Sequence, residues 1–270
     1  MNALWAIAMI TFKEGIRNRA IFGILLLALL LAAANFFVSG MIMQEIGKVA
    51  VDIGLSSISF SGLMLVLFVG INLMAKDLDR RTIYMVLSRP ISRYQYIYGK
   101  FFGMTLLVLA STALVSLFSL GAVALIKVGA QDFFPRFSWP SVFLAIVFIT
   151  LMLILLTALT FLFASFTSTS FVTLILTVVS YLIGQSTSGV RTLVEAPNVV
   201  GIKVSAFTVK LVQGAYYLFP NLSLFDIKTQ AAHGLPVGAD YILWTFLYWL
   251  LYTTLAITFA ALIFRRREFP

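Results

Sequence analysis

The sequence contains no cysteine, a single histidine and very little charge. Only 11% of its 270 residues are Asp, Glu, Lys or Arg, against about 25% in an average soluble domain. Without thiols there is no disulfide framework, thiolate metal site or cysteine nucleophile. So little charge cannot cover the outside of a soluble fold, and 61% hydrophobic residues with a mean hydropathy of +1.03 exclude an ordinary soluble enzyme. The same composition excludes disorder, which needs low hydrophobicity and high charge. What remains is an integral membrane protein.

Catalytic parts are missing too. The chain has no G-x-x-x-x-G-K-[ST] phosphate loop, no G-x-G-x-x-G, no H-E-x-x-H and no G-x-S-x-G. No catalytic, cofactor-binding or metal residue is nominated. His233 has Asp226 and Asp240 each seven residues away, but it lies between Ala232 and Gly234 and reads as a solvated loop histidine rather than a metal ligand.

What is present is long uncharged sequence. A charged side chain at the bilayer centre costs at least about 2.5 kcal/mol, so uncharged windows of about 20 residues or more mark the spans. These windows are Ala20 to Gln44, Ile53 to Ala75, Phe101 to Ile126, Phe137 to Val190 and Tyr241 to Phe264. The first follows Lys13, Arg17 and Arg19 as a signal peptide would, yet it outruns the roughly 7–15 residues of a signal core, so it is read as a retained span. The fourth holds 54 residues, enough to cross twice, and Ser165-Phe166-Thr167-Ser168-Thr169-Ser170 is the place to turn. The expected fold is all-α, with six spans: Ile21 to Met43, Ser56 to Ala75, Phe101 to Ile126, Val142 to Phe166, Phe171 to Gly189 and Leu243 to Phe264. A β-barrel would show alternating segments of about 10 residues instead. The whole chain, 1–270, reads as one transmembrane domain.

Six spans put both termini on one side. That side, with the loops after spans two and four, holds twelve cations against four acids; the other holds seven against six. The net +8 marks the cytoplasmic side. The overall +9 thus reports topology, not nucleic-acid binding. Phe133, Phe134, Phe137 and Trp139, and then Tyr241, Trp244, Tyr248 and Trp249, fall where aromatic belts anchor the outer interface.

Three segments lie outside the spans. In residues 1–19, Leu4, Trp5, Ala8, Met9, Phe12 and Ile16 recur at steps of three and four, with Lys13, Glu14 and Arg17 mainly opposite. This is an amphipathic helix in the interface, or else an extension of span one. Residues 76–100 carry six cations and the apolar strip Ile83, Val86, Leu87 and Ile91. Pro90 breaks the segment at Arg89, and Ser92 can N-cap a helix running into span three. So long a connection is built to present a surface, to a protein or to headgroups. In residues 185–240, Val200, Val204, Phe207, Leu211, Ala215 and Leu218 trace a second amphipathic helix, lying on the outer leaflet, capping a cavity or packing on the spans. A shorter helix is expected within Leu222 to Gln230, before Gly234-Leu235-Pro236.

No Asp, Glu or His falls within the expected spans, where ion-coupled transporters keep a ligand for the coupling ion. Uphill transport would draw its energy from a separate subunit.

The run Asp79-Arg80-Arg81-Thr82-Ile83-Tyr84-Met85-Val86-Leu87-Ser88-Arg89-Pro90-Ile91-Ser92-Arg93, with Gly99-Lys100 before span three, resembles the permease subunits of ABC-2 type transporters. It is most similar to the small bacterial six-span group that includes the nitrous oxide reductase maturation permease. Arg81 stands where that family usually has Gly. The resemblance implies a homodimer in the bacterial inner membrane, with two ATP-binding cassette subunits docked in the cytoplasm. ATP and Mg would be bound by those subunits and not by this chain. It assigns coupling to Asp79, Arg80, Arg81, Thr82, Leu87, Ser88, Arg89, Pro90, Ser92 and Arg93, and the interfacial elbow helix to Trp5, Phe12, Lys13 and Arg17. An uncharged route rich in Phe, Leu, Ser and Thr favours a lipid-like or amphipathic exported cargo. Two alternatives stand: a mechanotransmission assembly acting on an external or single-span partner through residues 185–240, and a motorless scaffold or membrane enzyme.

Overall fold

The computed structural model describes residues 3–41, 45–73, 92–135, 137–195, 214 and 219–266, and every regular element among them is helical. In chain order these are α1 (Ala3–Ile16), α2 (Arg19–Met41), α3 (Ile46–Leu65, continuing through a π turn, Val66–Gly70), α4 (Arg93–Gly129), α5 (Trp139–Phe166), α6 (Ser170–Glu195), α7 (Lys228–Ala232) and α8 (Ala239–Arg266). Short 3₁₀ turns occupy Gln131–Phe133 and Leu222–Phe225.

Six helices, α2 to α6 and α8, are long and apolar enough to cross a membrane, as the charge spacing predicts. The chain is a multi-pass membrane protein. The hairpin also lies where expected: α5 stops at Phe166, α6 starts at Ser170, and the Thr167 and Thr173 hydroxyls meet at 2.6 Å across the turn.

Two boundaries differ from expectation. The second span begins at Ile46 rather than Ser56, so Lys48 and Asp52 belong to its first turns. Its 28 residues reach about 42 Å at 1.5 Å each, longer than the roughly 30 Å hydrocarbon layer, which leaves those charges at the headgroup level. Likewise α4 runs for 37 residues and carries Lys100 near one end and Lys127 near the other. These lie about 40 Å apart along the axis, so both fall outside the hydrocarbon core.

Lipid tails are as apolar as leucine, so the helices associate through close packing and hydrogen bonds rather than through hydrophobicity. The two most enclosed spans, α3 and α5, form the interior. Asn35 on α2 is fully buried and donates to the Ala50 carbonyl of α3 at 2.9 Å while accepting from Ser39. Such an interhelical bond contributes about 0.6 kcal/mol on average within a bilayer. Between α5 and α6, the buried hydroxyls of Thr160 and Thr177 meet at 3.4 Å.

At the end of the bundle opposite the chain termini, the chain folds back over the spans. Leu222, Phe225 and Ile227 are buried, Asn221 donates its N–H to the Tyr248 hydroxyl at 2.7 Å, and Tyr241 donates to the Leu224 carbonyl at 2.8 Å. Tyr241 and Tyr248 are therefore recruited as internal hydrogen-bonding groups, while Trp244 stays exposed in the manner of a belt residue. Where one short helix is expected within Leu222 to Gln230, the structure has the 3₁₀ turn Leu222–Phe225 and then α7, which runs on to Ala232. Gly234 closes it at φ 62°, with Leu235 N–H bonded to the Gln230 carbonyl at 2.9 Å and Gly234 N–H to Ala231 at 3.2 Å. This is a Schellman cap, whose left-handed residue favours glycine. His233 also belongs to the cap, its Nδ1 lying 2.9 Å from the Thr229 carbonyl. The expected amphipathic helix from Val200 to Leu218 falls outside the described residues, Gly214 apart.

Candidate coupling site

The functional surface expected from the sequence, residues 76–100, springs from the end of the bundle that holds the termini. Asp79, Arg80, Arg81, Thr82, Leu87, Ser88, Arg89 and Pro90 lie outside the described residues. The structure describes both roots of the segment, where α3 ends and α4 begins.

The downstream root is rigid for a local reason. Ser92 has extended backbone, its hydroxyl accepts from Gln95 N–H at 3.2 Å, and the Gln95 side-chain oxygen accepts from Ser92 N–H at 3.0 Å. This capping box satisfies orphan donors at the helix start, as expected from Ser92, and gives α4 a fixed first turn.

The upstream root is tied to the same helix. Lys100, only 5% exposed, donates its ammonium to the Leu73 carbonyl at 2.6 Å and sits 5.6 Å from the centre of the Tyr96 ring. A buried lysine needs such a partner, because leaving the charge unpaired would cost several kcal/mol. Before its last described residues, Ile71 to Leu73, α3 passes through the π turn, a local widening of the helix.

Arg93 follows the cap and donates to the Arg265 carbonyl at 2.8 Å, near the C-terminal end of α8. Its charge thereby meets the negative end of that helix. Arg265 returns the contact by donating to the Tyr94 hydroxyl at 3.1 Å, and Tyr96 stacks on Phe264 at 5.6 Å. One turn further along, the Tyr98 and Thr258 hydroxyls meet at 3.4 Å. So α4 and α8 are joined by four successive contacts at this end, none of which the local sequence pattern reveals.

The segment expected to form the elbow is helical, as α1, and packs along the start of α4. A methyl group added at Gly103 would come within 2.5 Å of the Ala8 carbonyl oxygen and 2.6 Å of Thr11 Cβ; one at Gly99 would come within 2.8 Å of Ile7 Cβ. Gly99 and Gly103 form a G-x-x-x-G pair, a spacing that lets two helix backbones approach closely. The buried residues of α1 are Ala8, Thr11 and Gly15; of the expected apolar face Ala8 is buried, while Trp5 and Ile16 are exposed. Trp5 is 48% exposed, Phe12 packs on the core's edge, and Lys13 and Arg17 are exposed. The helix thus holds α4 with its small residues and turns larger apolar ones outward.

A family model for the ABC-2 family transporter protein matches residues 5–269, nearly the whole chain, and so takes in α1 and all six spans. The chain belongs to the ABC-2 transporter family. Membership makes it the permease subunit of an ABC transporter, a membrane component that works with ATP-binding subunits and is generally not itself catalytic. No curated protein matches the chain at a significant level. The Lys100–Leu73 bond and the Ser92 capping box tie both roots of the segment to the start of α4.

Proposed function

We propose that this permease acts as a homodimer in a bacterial inner membrane, both termini cytoplasmic, with one ATP-binding cassette subunit docked on each copy. Residues 79–93 form the coupling element, seated on the motor through Asp79, Arg80, Arg81, Thr82, Leu87, Ser88, Arg89, Pro90, Ser92 and Arg93. Trp5, Phe12, Lys13 and Arg17 belong to the elbow helix beside it. ATP and Mg are bound by the motor, and closure of the two motors carries the coupling elements together and reorients the spans. The observation that supports this reading is the mount itself: Lys100 holding Leu73 on one side and the Ser92 capping box on the other. A displacement of the segment is passed to α3 and α4 instead of being absorbed at its hinges.

The cargo is lipid-like or amphipathic and moves outward, because the polar groups described within the spans are hydroxyls and amides that match a weakly polar molecule. Vanadate-sensitive ATPase activity of the reconstituted complex, measured with added lipids and hydrophobic drugs, tests this. Stimulation by one such class supports the reading, and no stimulation by any of them overturns it. A protein that co-purifies on residues 185–240, with ATPase activity indifferent to small amphiphiles, would instead indicate mechanotransmission.

A further inference from the structure

The elbow helix encloses something besides its contact with α4. Between α1 and the adjacent ends of α2 and α3 lies a groove of about 690 Å³, lined by Lys13, Arg17 and Arg19, with Glu14 as the acid among them. Its volume falls within the roughly 300–1,000 Å³ usual for small-ligand sites. Among the described residues, Lys13, Arg17 and Arg19 form no ion pair, and three cations against one acid leave the groove at +2. Such a concavity attracts an anion.

The surroundings say which kind. Arg19 opens α2, and Phe22, Leu26, Leu30 and Phe37 follow it at helical spacings that keep them on its face. They are 64%, 60%, 56% and 77% exposed, a continuous apolar stripe leading from the groove toward the far leaflet. The groove's own wall is apolar where Ile10 and Leu73 contribute. A soluble phosphate would use the cations and leave the stripe unused. A molecule with an anionic head and an acyl chain uses both.

The geometry points to a resident anionic phospholipid, its phosphate held by Lys13, Arg17 and Arg19 and its chain laid along the exposed face of α2, in the leaflet at the end that holds the termini. Its role is to cement α1 against the spans, since the head bridges cations on two helices.

The test uses the purified full-length chain in detergent, with lipid binding measured by native mass spectrometry against dioleoyl phosphatidylglycerol, dioleoyl phosphatidylcholine and soluble glycerol phosphate. Tighter binding of phosphatidylglycerol than of phosphatidylcholine is expected. The triple variant Lys13→Gln, Arg17→Gln, Arg19→Gln should lose on the order of 100-fold in phosphatidylglycerol affinity, about fivefold per cation, with phosphatidylcholine binding little changed. Each single variant, which perturbs the fold least, should show its own fivefold loss, and Lys127→Gln at the opposite end should show none. Undiminished phosphatidylglycerol binding by the triple variant overturns the proposal, as does equal loss for both lipids. Displacement of the lipid by glycerol phosphate at equal concentration also overturns it, by transferring the groove to a soluble anion.

Discussion

The ammonium of Lys100 is bonded to the carbonyl of Leu73 at 2.6 Å, joining the last described turn of one span to the first turns of the next across the segment between them. This bond closes a base under the proposed coupling element. Lys100→Met keeps much of the stem's volume and removes the donor, and losing this hydrogen bond from a charged group costs about 1.5–3 kcal/mol. Thermal unfolding in detergent should show that loss, and cargo-stimulated ATPase activity should fall further than basal activity. A variant as stable and as well coupled as the parent would deny the bond any role.

The close approach of α1 to α4 gives a second expectation. Because the chain has no cysteine, Ala8→Cys alone supplies a clean reporter at a buried position. It should be nearly inert to a thiol reagent in the otherwise native chain. Adding Gly103→Leu forces a side chain into the Ala8 and Thr11 contact and costs about 1–3 kcal/mol as overpacking, so the reporter should become readily labelled. Continued protection of the cysteine would show that α1 is held by something other than this interface.

The capping box predicts a local effect. Ser92→Ala removes the hydroxyl that accepts from Gln95 and should cost about 0.5–2 kcal/mol, typical for loss of an N-cap. Hydrogen exchange should quicken at the amides of residues 93–96 and stay unchanged in the middle of α4. Uniformly faster exchange along the helix would mean that the cap acts globally rather than at the root.

Much of the architecture is legible from charge alone, because a bilayer penalises charge so strongly that uncharged windows delimit spans. The hairpin at Thr167 to Thr169 and the Ser92 cap were equally readable, since each depends on residues near in sequence. The start of α3 was not. Lys48 and Asp52 looked like loop residues because span counting assumes that a helix ends where charge begins, whereas α3 extends past the hydrocarbon into the headgroup layer. The packing face of α1 was also hidden. Its apolar periodicity points to the interface and says nothing of α4; close helix contact selects small residues, and the signal for it lies in the glycines of α4. The bond from Arg93 to Arg265 joins residues 172 apart, beyond the reach of any local pattern.

At the opposite end of the bundle, Glu45 gives an expectation in pH. It is exposed, and its hydrogen bond and ion pair with Lys48 at 2.6 Å lower its pKa from the ordinary glutamate value, with His233 adding a smaller pull in the same direction. A folded pKa below the unfolded one, about 4.3, means that the folded state releases this proton more readily; the contribution is present above that pH and is lost as pH falls through the folded value. The Glu45 carboxyl resonance should titrate below the ordinary range, and Lys48→Ala should move its midpoint upward. An unmoved midpoint would assign the lowering to some other group.

Arg93 and Arg89 both belong to the proposed coupling element, and the described contact of Arg93 decides how each is tested. Arg93 donates to the Arg265 carbonyl, so Arg93→Glu would break an internal contact and place a negative charge against the negative end of α8. Loss of motor binding by that variant would therefore carry two explanations. Arg89, on the far side of Pro90 and Ile91 from the capped helix, is the cleaner test. Arg89→Glu should abolish co-purification of the ATP-binding subunit while leaving membrane insertion and thermal stability at parental levels. Arg93→Gln should weaken the contact between α4 and α8 and lower stability, with milder loss of the motor. If Arg89→Glu retained the ATP-binding subunit in full, residues 79–93 would not be the docking element, and the mount formed by Lys100 and Ser92 would need another purpose.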